Sequence, residues 1–182
     1  MGNNFFILTG GPGSGKTALI EEFKNRGFFC MDEVGRKIIQ EELTCGAEAL
    51  TEETMKLRIE KMLIRSIETY AEVNDKQETI FFDRGILDYL GFAYYTNTLI
   101  SNELFQASIK LHYHAKVFIL PPWEKIYCND TERKQSFEEA IDVYNFCLTI
   151  YTKYGYEIIE VPKIDVSGRA DFILKVINPS TP

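Results

Sequence analysis

A chain of 182 residues with 45% hydrophobic, 26% charged and 13% aromatic residues reads as one ordinary globular domain, long enough to bury about 70% of its unfolded surface without a metal or disulfide. That balance excludes disorder, collagen and coiled coil. A formal net charge of -7 and an isoelectric point near 5.0 leave no basic field for duplex nucleic acid, while a local basic pocket for a phosphorylated ligand fits the same total.

The first apolar run is Phe5-Phe6-Ile7-Leu8-Thr9. No basic segment precedes it and it is far too short to span a bilayer, so neither a signal peptide nor a membrane span is expected. Phe6 stands where a myristoylation signal needs Ser or Thr, and the expected compartment is the cytoplasm. Directly after this run, Gly10-Gly11-Pro12-Gly13-Ser14-Gly15-Lys16-Thr17 fits G-x-x-x-x-G-K-[ST], between a strand and a helix, which is the context that gives this motif its meaning. Its glycines let successive backbone N–H groups curl around a triphosphate at a helix N-terminus, where the dipole favours negative charge. The expected nucleotide contacts are Gly11, Pro12, Gly13, Ser14, Gly15, Lys16, Thr17 and Ala18. Lys16 reaches the β- and γ-phosphates, and the Thr17 hydroxyl ligates magnesium.

Residues 16–26 form the first helix, with Leu19, Ile20 and Phe23 on one face and Gly27 as its stop. The second strand, 28–31, leads into Asp32-Glu33-Val34-Gly35-Arg36, whose side chains face the cleft at the carboxyl edge of a parallel sheet. Glu33 is a candidate general base for a substrate hydroxyl and Arg36 a candidate anion contact, with a helix N-terminal carboxylate as the plainer reading of Glu33. Asp32 to Gly35 also fits the D-x-x-G of GTPases, but it follows the wrong strand and no N-K-x-D accompanies it. Helices over 33–42 and 51–73 follow. The longer is capped by Thr51, stapled by Leu50 against Met55, and striped by Met55, Ile59, Met62, Leu63, Ile67 and Tyr70.

The third strand, 79–82, ends in Asp83, the expected magnesium carboxylate opposite the phosphate loop. Mechanical ATPases place a glutamate beside that aspartate to orient water, whereas here the neighbour is Arg84. Asp-Arg at this strand end is similar to nucleoside and nucleotide kinases, in which the arginine helps hold the acceptor. Helices over 86–95 and 102–113 precede the fourth strand, 116–120. His112 and His114 point to different helix faces and receive no role.

In kinases of this build, the position of Pro121-Pro122-Trp123-Glu124-Lys125 and the polar stretch to Gln135, about 121–136, is a mobile lid. There Arg133, with Lys125 or Lys134, can close over the phosphates and neutralise the transferring phosphoryl group; a solvated basic loop is the alternative. Trp123 is read as a packing anchor, with a stacking platform as the alternative. Ser136-Phe137-Glu138-Glu139 opens a helix with Ala140, Ile141, Tyr144, Leu148 and Tyr151 on its apolar face. The fifth strand is 156–161, and Pro162-Lys163-Ile164-Asp165 after it is where related proteins place the base. A helix over 168–176 and a frayed tail, 179–182, complete a single nucleotide-binding domain over 1–178. Cys30, Cys45, Cys128 and Cys147 form no CxxC pair and are read as reduced and structural.

The alternation of strands and helices predicts an α/β, three-layer fold on a five-stranded parallel sheet. The phosphate loop, the Asp32 to Arg36 turn, Phe82-Asp83-Arg84-Gly85-Ile86-Leu87-Asp88, Pro121-Pro122-Trp123-Glu124 with Asp130 and Arg133, and Gly155-Tyr156 leading to Val161-Pro162 resemble a family of short P-loop domains. Its members are AAA-type ATPases or kinases, similar to the nicotinamide riboside kinase domain of NadR. The resemblance covers nearly the whole chain. It implies a P-loop NTPase fold of nucleoside-kinase type with strand order 2-3-1-4-5, ATP and Mg2+ as ligands, and no certain substrate. Three readings follow. The first is a phosphotransferase moving the γ-phosphate of ATP to a small hydroxyl-bearing molecule, with Lys16, Thr17, Asp83 and Arg133 on the triphosphate and Glu33, Arg36, Arg84 and Asp88 on the acceptor side. The others are a nucleoside triphosphatase that uses water and a nucleotide-dependent binding module.

Overall fold

The computed structural model describes residues 4–44, 51–127 and 136–178. Its frame is a parallel sheet of β1 (Phe5–Gly10), β2 (Phe29–Met31), β3 (Ile80–Asp83), β4 (Lys116–Leu120) and β5 (Glu157–Glu160), ordered β2-β3-β1-β4-β5. The three strands whose sequences are almost continuously apolar, β3, β1 and β4, take the centre. They are covered on both sides, as a parallel sheet requires. In the edge strands β2 and β5 no residue is fully buried.

Side chains alternate across β1. Phe6 and Leu8 pack with α1 (Lys16–Asn25) and α7 (Val166–Ile177), while Phe5 and Ile7 face α2 (Val34–Thr44), α3 (Glu52–Ala71), α4 (Ile86–Tyr95) and α6 (Phe137–Lys153). Phe81 of β3 stacks flat on Phe23 of α1 with ring centroids 3.8 Å apart. The remaining helix, α5 (Asn102–Ile109), packs against α3 and α4. It stops four residues short of the expected 113, because the chain turns there to enter β4: His114 N–H donates to Phe5 O at 2.8 Å.

The expected caps are in place, with Thr51 Oγ1 accepting from Thr54 N–H and Ser136 Oγ from Glu139 N–H. Leu50, the other half of the expected staple, lies outside the described residues. On α6 the buried residues are Ala140, Cys147, Ile150 and Tyr151, whereas Ile141 and Leu148 are over a third exposed. The expected stripe is therefore corrected by part of a turn, toward the buried carboxylate described below.

Register positions the site. Leu8 of β1 is level with Asp83, Gly10 with Leu120, and Met31 of β2 with Phe82. One carboxyl edge thus carries the glycine-rich loop, Asp83-Arg84 and Asp32-Glu33 side by side.

Candidate active site

The loop after β1 turns on glycines with φ of 132° at Gly10, 71° at Gly13 and 88° at Gly15, a region that side chains disfavour. At Gly13 an added Cβ would lie 2.5 Å from the Tyr127 ring. Ser14 Oγ donates to Gly11 O at 2.9 Å, and Lys16 Nζ donates to Gly10 O at 2.9 Å and Gly11 O at 2.8 Å. The lysine thereby closes its own loop from within. Burial, reinforced by the nearby Arg84 charge, lowers Lys16 to about 8, against Asp83 and Glu33, which favour the charged form. Thr17 and Ala18 are exposed on the first turn of α1, while Pro12 is half-buried in the loop.

Asp83 is 5% exposed, and its Oδ1 is buried with no hydrogen-bond donor among the described residues. Burial and then the Glu33 charge push its carboxyl up to about 6, opposed by Lys16 and Arg84. A desolvated carboxylate oxygen without a donor is costly to bury, and perturbed carboxylates of this kind cluster at functional sites.

Arg84 sits at φ 71°, unusual for a residue with a side chain. The strained turn is held by Arg84 N–H donating to Leu8 O at 3.0 Å and by the bonds of its guanidinium. Its Nε donates to Glu33 Oε1 at 2.9 Å and its Nη1 to Asp88 Oδ1 at 3.1 Å. Although burial pushes Glu33 upward, Arg84 and Lys16 outweigh it and hold the carboxyl below its ordinary value. Arg36 is half-buried near the start of α2, close enough to contribute to that lowering.

Asp88 was expected on the acceptor side, and the structure gives it another place. Oδ1 accepts from Thr9 Oγ1 at 2.6 Å, from Arg84 and from the Cys147 thiol at 3.5 Å, while Oδ2 accepts from Gly85 N–H at 2.9 Å and Tyr151 OH at 2.6 Å. With both oxygens occupied and the side chain 3% exposed, Asp88 ties Arg84 to the core instead of presenting itself to a ligand. Cys147 stays a thiol there, pushed up to about 11 by burial. Asp32 turns away from the cleft onto Lys24 at 2.7 Å and Lys37 at 3.3 Å.

Arg133, with Lys134, Asp130, Cys45 and Cys128, lies outside the described residues. Lys125 is exposed on a short 3-10 turn, Glu124–Ile126. Thr9, Tyr151 and Cys147 were missed by sequence reasoning. None belongs to a motif, and each meets Asp88 across at least 59 positions of chain. Only the burial of a tyrosine hydroxyl, which needs a partner, signals such a hub.

Residues 5–169 match a family model described as an AAA domain. A comparison with curated proteins finds no match. Among solved structures, the chain is similar to NadR in complex with NR (TM-score 0.71, 16% identity, covering 98% of this chain and 52% of that one). It is similar to thymidylate kinase from Candida albicans (TM-score 0.71, 15% identity, 97% of this chain and 92% of that one). It also resembles deoxyadenosine kinase from M. mycoides (TM-score 0.64, 18% identity, 97% of this chain and 100% of that one). At these identities the likeness is one of fold, and the fold is that of P-loop kinases.

Proposed function

The chain belongs to the AAA-domain family, and on that premise we propose that it is a Mg-ATP-dependent phosphotransferase acting on a small hydroxyl-bearing, nucleoside-like acceptor. The observation that carries this reading is the Glu33–Arg84 ion pair, 2.9 Å long, on the same sheet edge as Asp83 and Lys16. Mechanical ATPases place a glutamate beside the metal aspartate to orient the attacking water. Here the residue beside Asp83 is an arginine, and the ionised Glu33 stands one strand away, where a substrate hydroxyl can approach.

Each group then has a task. The loop from Gly11 to Lys16 grips the phosphates through its amides and the ammonium. Thr17 and Asp83 are the residues that would hold Mg2+; the buried unsatisfied Oδ1 fits that use, and the bound ion supplies charge neutralisation at the phosphate oxygens. Glu33 accepts the proton of the acceptor hydroxyl, Arg84 orients Glu33, and Arg36 contacts the acceptor. Asp88 fixes Arg84. The task proposed for Arg133 is to neutralise charge on the transferring phosphoryl group. Two kinases of this fold, the deoxyadenosine and thymidylate enzymes, and NadR with its bound NR support the reading by the company they keep.

The test follows γ-labelled ATP with magnesium, alone and with a panel of nucleosides and vitamins. Label on an acceptor is the expected result. Free phosphate at ~1 per second without an acceptor assigns a hydrolase, and no release under any condition assigns a binding module. In the same assay Glu33→Gln lowers kcat by ~100-fold or more and leaves ATP affinity nearly unchanged. Equal loss of both removes Glu33 from the role of base.

A further inference from the structure

Arg169 has no part in the scheme above, and no motif marks it. It stands in the first turn of α7, whose N-terminus is capped by Asp165 Oδ1 accepting from Gly168 N–H at 2.7 Å. The residue is 4% exposed. Its Nε donates to Ile164 O at 2.8 Å, its Nη1 donates to Ser14 O at 3.1 Å, and its guanidinium carbon lies 4.7 Å from the ring centroid of Trp123, the single tryptophan. One side chain thus joins the phosphate loop, the exit of β4 and the loop between β5 and α7, lining one narrow cleft with Ser14, Pro121, Trp123 and Pro162.

Two features go beyond packing. A Cβ at Gly15 would come within 2.8 Å of Arg169 Nη1, so the guanidinium uses the space that this glycine leaves. Its acceptors are carbonyls, and among the described residues it has no ion-pair partner; burial lowers its hold on the proton, with Asp165 opposing. Guanidinium nevertheless stays charged in proteins, and a buried charge without a carboxylate is costly unless its location serves an anion. The peptide geometry shows how. In a trans peptide the C=O of one residue and the N–H of the next point in opposite directions. Drawing the Ser14 carbonyl toward Arg169 therefore turns the Gly15 amide away from it.

We infer that Arg169 is a positioning residue of the phosphate loop: it fixes the Ser14–Gly15 peptide so that the Gly15 amide faces the nucleotide's phosphates, and it places an uncompensated positive charge behind them. The inference rests on the nucleotide-binding part of the proposed function and deepens it. Trp123 lies against the guanidinium and so is neither a bare packing anchor nor a free stacking platform.

Titration calorimetry of the full chain with Mg-ATP and with AMP, for the unaltered protein, Arg169→Met and Arg169→Lys, tests this. A lost charge-assisted bond to a buried carbonyl predicts that Arg169→Met weakens ATP binding by ~10-fold or more. AMP, which has no β-phosphate for the loop, weakens less than ~3-fold. Arg169→Lys keeps the charge without the two-pronged fork, so its ATP affinity falls between the two. ATP affinity unchanged in a folded Arg169→Met protein, or an equal loss for ATP and AMP, overturns the inference. Should circular dichroism show Arg169→Met unfolded, the same comparison in Arg169→Lys decides, with unchanged or uniform affinities again overturning it. An unaltered protein that binds no Mg-ATP overturns the proposed function and this inference together, whereas intact binding in the variants overturns this inference alone.

Discussion

At Asp83, a carboxyl pushed from 3.8 up to about 6 by burial and the Glu33 charge binds its proton more tightly in the folded chain than in the unfolded one. Below about pH 4 the group costs nothing, its penalty grows as pH rises, and above about pH 6 it is fully present, on the order of 2–3 kcal/mol. Asp83→Asn therefore raises the melting temperature of the nucleotide-free protein at pH 7 and flattens its stability between pH 4 and 6. It also weakens Mg-dependent ATP binding by ~10-fold or more, a trade of stability for function. A lower melting temperature at pH 7 would show that Asp83 serves the fold and not a cation. The places of Lys16 and Asp83 on one sheet edge were legible in the sequence, because Lys16 closes the glycine-rich motif after β1 and Asp83 ends the apolar run of β3. The Asp88 hub and Arg169 were not, since their partners lie 63, 79 and 155 positions away, and only the folded chain brings those distances to hydrogen-bond length.

Among the elements, β1, β3 and β4 announced both their existence and their central places through unbroken apolar runs, and α4 began and ended where its pattern did. Helix α6 was harder to orient. Its apolar residues occupy two overlapping stripes that share Ala140 and Tyr151, and the one containing Cys147 and Ile150 is buried, with the Cys147 thiol meeting Asp88 through a contact that has no local signal. Its start was readable: Ser136 Oγ accepts from Glu139 N–H at 3.1 Å while the Glu139 carboxylate accepts from Ser136 N–H at 2.5 Å. Ser136→Ala costs about 1 kcal/mol in urea unfolding. A loss below about 0.3 kcal/mol would mean that packing of Ala140 and Tyr151 alone sets where α6 begins.

Across the molecule, the order β2-β3-β1-β4-β5 puts the strand that carries the phosphate loop in the middle, between the strand ending in Asp83 and the strand leading to Trp123. Under the proposed function, the acceptor-side groups Glu33, Arg36 and Arg84 follow β2 and β3, while Asp83 at the end of β3 and the loop after β1 serve the nucleotide. Net charge is -7, yet Lys16, Arg84 and Arg169 are all drawn into this one edge. Under the proposed function this edge receives a compact anion, and a net charge of -7 offers no field for a polyanionic duplex. The most direct measurement is a calorimetric titration with ATP, with and without magnesium, of the unaltered chain beside Lys16→Ala. The account predicts saturable, magnesium-dependent binding that the substitution weakens by at least ~100-fold, the worth of two charge-assisted phosphate bonds; equal affinity in the two proteins would contradict it.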